Sequence, residues 1–223
     1  MALGTPTNLT SGGAATAAAS RTTASISPTG GALLLACTGA TRSSAAPTTV
    51  VVTDTLTGTG TWTSINLRDA SGKVLTSLSY AKAGPTPGTG TITFTYSGGS
   101  NPVRQAWIVD EITGQDTTTP VPESATNEGT GTTLTVNLAS IASGNKAYGL
   151  INNGSGTGIT AGSGETEIDE QGSGGTSNVL LQTEYGTATD VDWSTLITTL
   201  ATVGIAIEIA EATATVRRVM TIT

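Results

Sequence analysis

Histidine is absent from this chain of 223 residues, cysteine occurs once, and only 11% of the residues are charged. Without imidazole the chain loses the commonest general base and the usual nitrogen ligand of zinc, and neither a Ser-His nor a Cys-His nucleophile can be assembled. Cys37 has no partner for an intrachain disulfide, and inside the apolar run GALLLACTGA it reads as a small buried hydrophobe. Aromatic residues make up 4% of the chain, so the three Trp, four Tyr and one Phe must serve the core and leave few rings for stacking on a sugar. No apolar run approaches the roughly 18 to 20 residues of a membrane-spanning helix. The opening MALGTPTNLTSGGAATAAASR has neither the early basic region nor the apolar core of a secretory signal, which predicts a soluble chain synthesised in the cytoplasm. These absences lead to the expectation of no catalytic residues, no cofactor, no metal and no membrane contact.

Threonine is what the chain has in quantity, 47 residues, together with 29 glycines and 8 prolines. Threonine's branched Cβ suits a pleated strand, while Gly and Pro punctuate turns, so the composition predicts β-structure with many turns. Charge is uneven. Residues 1–104 sum to +4 and residues 105–211 to −13, within a total of −7. Six basic residues scattered through the first hundred positions do not form the clustered stripe that neutralises phosphates, so no nucleic-acid partner is expected.

Residues 1–25 are Ala, Thr, Ser and Gly without periodicity and read as an extended or disordered arm. Beyond them, strand-like segments recur every ten to fifteen residues: 31–39, 48–56, 61–69, 74–82, 91–99, 103–112, 132–140, 146–153, 177–185, 203–212 and 215–223. About eleven antiparallel strands with no convincing helix predict a single all-β sandwich or barrel over residues 26–223. Residues 191–203 fit both periods, with the threonines favouring strand. The Gly-rich stretch 152–178 is long for a compact domain and reads as a contact loop.

Carboxylates are the remaining candidates for chemistry. Asp110 and Glu111 are adjacent in VRQAWIVDEI, and on a strand neighbours point to opposite faces, so the two cannot flank one substrate bond as glycosidase acids do. A partner from another strand, such as Glu208, is the alternative. The acids of ETEIDE (Glu165, Glu167, Asp169, Glu170) and the pair Asp190 and Asp192 have the wrong spacing for a helix-loop-helix calcium site and read as solvated.

The stretches SPTGGALLLACTGA, TTVVVTDTLTGTGTWTSI and WIVDEITGQDTTTPVPESA resemble a group of jelly-roll-like β-sandwich proteins of bacteriophages, related to sandwich proteins of bacteria. Glu111, Gly114, Asp116, Thr117, Thr118, Thr119 and Pro120 carry the most specific part of the likeness. The resemblance implies a jelly-roll sandwich and a non-enzymatic virion component, foremost a capsid decoration or cement protein on the outer shell. Its partners would be the major capsid protein and copies of itself. The alternative is a carbohydrate-binding or adhesin module, such as a tail- or fibre-associated domain, with exposed aromatics on one face.

Overall fold

A computed structural model describes residues 2–42, 44–154, 158–174, 179–196 and 201–213. Among them there is no helix, and the structure is an all-β sandwich of antiparallel sheets. The first eight strands are β1 (Thr7–Ala14), β2 (Ser20–Thr22), β3 (Leu33–Thr41), β4 (Thr49–Asp54), β5 (Thr63–Arg68), β6 (Val74–Lys82), β7 (Ile92–Ser97) and β8 (Arg104–Ile112). The next eight are β9 (Glu123–Gly129), β10 (Leu134–Asn137), β11 (Lys146–Asn153), β12 (Thr160–Ala161), β13 (Glu165–Gly172), β14 (Leu180–Gly186), β15 (Asp190–Ser194) and β16 (Thr202–Ile209).

The strands sort into two halves with one plan. The first half forms the sheets β1-β8-β3-β6-β5 and β2-β7-β4, and the second forms β9-β16-β11-β14-β13 and β10-β15-β12. Adding eight to each strand number of the first half reproduces the second. The correspondence reaches single residues. Glu111 on β8 pairs with Leu34 on β3, and Glu208 on β16 pairs with Ala147 on β11. Each of these two glutamates reaches the loop before the central strand: Glu111 accepts the Thr29 N–H (2.7 Å) and Glu208 accepts the Ala142 N–H (2.8 Å). Both loops turn on a glycine with positive φ, Gly31 (76°) and Gly144 (91°), a conformation that L-side chains adopt only at a cost.

The layers follow from which faces are apolar. Leu33, Leu35 and Cys37 of β3 point to one side and Leu34, Ala36 and Ala40 to the other, which is why this run carries no polar alternation. The first set meets Tyr148, Leu150, Leu181, Ile205, Ile207 and Ile209 of the second half, so the two five-stranded sheets pack face to face around a shared inner core. The second set is covered by Val50, Val52, Ile92 and Phe94 of the β2-β7-β4 sheet. On the far side, Ala147, Ile151 and Ala206 are covered by Val136, Val191 and Trp193. Four sheets thus stack three, five, five, three. Close approach at the inner interface is visible at Gly39, where a Cβ would come 2.7 Å from Asn152 Nδ2, the group that donates to Leu75 O across the interface (3.1 Å).

The expected count of about eleven strands is corrected to sixteen among the described residues. Five strands that the sequence does not suggest, β1, β2, β9, β12 and β13, are all edge strands, whose side chains are half-buried or exposed and show no clean apolar period. Of the expected arm 1–25, residues 2–25 are described and extended, and two parts of them are strands: β1 lies against β8 and β2 against β7. The stretch 152–178 contains β12 and β13, and its residues 155–157 and 175–178 lie outside the described residues. Within 191–203, Asp190–Ser194 is strand and 197–200 are outside the description, as are the expected strand residues 215–223.

The segment after β8, which carries the most specific part of the resemblance, is the connection between the halves. Gly114 turns with φ 82°, and Asp116 Oδ1 accepts the N–H groups of Thr118 (2.7 Å) and Thr119 (2.8 Å). Those two bonds hold the exposed Asp116 carboxyl below the usual carboxylate range. Asp116 N–H and Ala210 N–H then pair the linker with the end of β16.

Truncating Leu150 to Ala in the inner core is expected to cost about 2 to 5 kcal/mol, whereas Val51→Thr on the exposed face of β4 stays within about 0.5 kcal/mol. Urea unfolding of the two variants measures this, and equal effects would contradict the assignment of the core.

Candidate functional site

Asp110 and Glu111 point to opposite faces of β8, as strand geometry requires. Asp110 is fully buried in the inner core, and Glu111 reaches the loop at Thr29, where the hydroxyl also donates to it (2.7 Å). Glu208 serves the second loop on the other sheet, where Asn145 Nδ2 also donates to it (2.7 Å). These three acids do not converge.

Around Asp110 the two-fold plan is broken. The rank that holds Leu35 and Asp110 in the first half holds Tyr148 and Ile207 in the second, and Cys37 stands where the second half has Leu150. The Tyr148 hydroxyl donates to Asp110 Oδ2 (2.7 Å) and Asn8 Nδ2 of the edge strand β1 to Oδ1 (3.0 Å). Tyr148 has one proton and spends it on Asp110, so Cys37 is the donor in the 3.3 Å contact between its sulfur and the tyrosine oxygen. Burial pushes the Asp110 carboxyl up to about 6 against the pull of the Tyr148 and Asn8 bonds, and Asp169 nearby adds to the rise. Burial likewise pushes the Cys37 thiol and the Tyr148 phenol well up, so neither is a nucleophile at neutral pH.

The acids of ETEIDE lie on β13, an edge strand with a bulge between Glu167 and Asp169 that redistributes them. Glu167 accepts from Gln182 Nε2 (2.9 Å), Glu170 from Ile159 N–H (2.7 Å) and Glu165 from Asp192 N–H (3.2 Å), while Ile168 packs against the inner core. Asp192 in turn accepts from the Thr135 hydroxyl (2.5 Å). Beside Glu165 stands Glu184, fully buried on β14, where nothing near it in sequence marks it as a partner of Glu165. Burial and the nearby Glu165 push Glu184 far above the carboxylate range, and burial raises Glu165 as well. Among the described residues, no three His, Cys, Asp or Glu side chains converge at metal-binding spacing.

Among the described residues, two of the surface hollows lie beside these strands. One, of about 310 Å³, lies between the edges of β1 and β13 and is lined by Pro6, Asn8, Glu167, Ile168 and Tyr185. The other, of about 390 Å³, lies on the outer face of β15 beside Thr135, Gly162, Asp192 and Trp193. The three tryptophans are dispersed. Trp193 is buried in the outer core of the second half, while Trp62, which donates to Asp54 Oδ2 (2.7 Å), and Trp107 are half-buried. No known protein family, curated protein or solved structure matches this chain.

The buried Asp110 holds its proton more tightly in the folded state than in the unfolded chain. It therefore contributes stability that is complete below about pH 4 and is lost as pH rises through about 6. Relative to Asp110→Asn, the wild type is expected to lose about 3 kcal/mol between pH 4 and 7. Denaturant unfolding at stepped pH measures the difference, and parallel stability profiles would contradict it.

Proposed function

We propose that the chain is a non-enzymatic structural protein of a bacteriophage virion, a capsid decoration or cement protein. It is synthesised in the host cytoplasm and bound on the outer shell to the major capsid protein and to copies of itself. The observation that supports this best is where the polar chemistry goes. Asp110, Glu111, Glu208 and Asp116 anchor strands, loops and the linker, and Glu167 and Glu170 hold β13 through Gln182 and Ile159, so these acids are spent on holding the fold together. We read each half as a jelly roll. Orders 1-8-3-6 and 2-7-4 are those of its two sheets, with β5 joined to β6 instead of β4, and Asn66 of β5 still accepting the Val50 N–H of β4 (2.9 Å). The sequence resemblance points the same way.

A carbohydrate-binding or adhesin module would display rings on one face. Among the described residues the exposed large apolar side chains are Val51 and Val103, and Trp62 and Trp107, though both pack on the outer core of the first half, are half-buried, which leaves no fully exposed ring and weighs against that alternative.

Full-length chain mixed with undecorated phage capsids is expected to co-sediment with them, and mass spectrometry of purified virions is expected to find it. Removal of residues 2–24 would take β1 and β2 out of their sheets and so would perturb the fold as well as binding. Absence from virions together with no capsid binding would overturn the proposal.

A further inference from the structure

The two outer sheets occupy equivalent places but present opposite surfaces. On β10-β15-β12 the outward positions include Asp190 and Asp192, opposite Asn137 and Thr135. On β2-β7-β4 no outward position is ionisable. Val51, Thr95 and Ser20 form one rank across the three strands, and Thr53, Thr93 and Thr22 form the next. The hydroxyls of this face pair with one another across strands: Thr22 with Thr93 (2.9 Å), Thr49 with Ser97 (2.7 Å) and, continuing the row beyond the strand ends, Ser27 with Thr89 (2.9 Å). A hydroxyl already paired loses little when water leaves, so these three pairs lower the cost of covering the face. At its centre Val51 is 54% exposed, the most exposed large apolar side chain among the described residues.

Charge says what covers it. Residues 2–112 carry six basic and four acidic side chains, net +2, while residues 113–213 carry one basic and twelve acidic, net −11. Two copies repel wherever their second halves approach. Joined through the neutral face of the first half, they keep four sheet layers between the acidic halves. At roughly 10 Å per layer that distance is several times the Debye length of about 8 Å at physiological salt. We propose that the outer face of β2-β7-β4 is a two-fold self-association surface, with Val51 of one copy packed against the same face of a second. The contact is isologous and closes at a dimer. It deepens the proposed self-association and rests on that part of the functional reading.

Sedimentation velocity on the full chain tests this. Wild type is expected to dimerise at micromolar concentration with little change on raising salt to molar levels, and Val51→Glu is expected to weaken the dimer at least about tenfold by burying an unpaired charge. Val51 is exposed, so an unchanged unfolding midpoint confirms that the variant folds. A wild type that stays monomeric, or a Val51→Glu variant that dimerises as well as wild type, would overturn the proposal. So would a salt-sensitive association abolished by Asn137→Lys on the acidic face, which indicates a head-to-tail contact. Presence in virions is measured separately: a virion protein without this dimer loses only the surface, and a dimer absent from virions loses only the function.

Discussion

The contact on which the rest of the molecule depends is the packing of one five-stranded sheet on the other. Leu33, Leu35, Ile108 and Leu78 of the first half meet Leu150, Leu181, Ile205 and Ile207 of the second with no exposed surface between them. Because β3 and β11 are central in their sheets and covered on both faces, each is mostly apolar, with Thr38 on β3 and Asn152 and Asn153 on β11 as buried polar exceptions, and the outer three-stranded sheets cover what the inner contact leaves bare. At roughly 25 cal/mol per Å² of apolar surface removed from water, this interface outweighs the hydrogen bonds that cross it. Those bonds give register instead. Asn152 to Leu75 O and Tyr148 to Asp110 each have one geometry in which a buried group is satisfied.

The repeated plan also shows where the halves have diverged. Glu111 and Glu208 perform the same task at equivalent places, whereas Asp110, Tyr148 and Cys37 replace what an exact copy would fill with Ile, Leu and Leu. The substitution puts one titrating carboxyl into an otherwise apolar interface, held from the other half by Tyr148 and from the edge strand by Asn8. The outer faces diverge in the same manner, one neutral and hydroxyl-bearing, the other acidic.

The central strands were legible in the sequence because burial writes itself as apolar runs. GALLLACTG, VLTSLSYAK and KAYGLINN all lie on strands of the inner sheets. Turns were legible where chemistry demands particular residues. In DASGK, Asp69 accepts the N–H groups of Ser71, Lys73 and Val74, and the Asp116 turn forms as its residues suggest. Edge strands were not legible, since TNLTSGGA and ETEIDEQG bury too little to show a period, and ETEIDE therefore read as an acidic loop. The pairing of the halves was hidden as well, because shared topology leaves little trace when only spacing and a few positions are kept. The opposed faces of Asp110 and Glu111 followed from strand geometry alone. The bond from Tyr148, 38 residues away, and the approach of Glu165 to Glu184 required the fold.

If the inner interface binds both halves into one cooperative unit, their central strands must open together. Native-state hydrogen exchange followed amide by amide tests this most directly. The amides of β3, β8, β11 and β16 are expected to be the most protected and to exchange with one common free energy equal to that of global unfolding. Exchange of β11 and β16 at a clearly lower free energy than β3 and β8 would show that the halves fold independently, and would contradict the account.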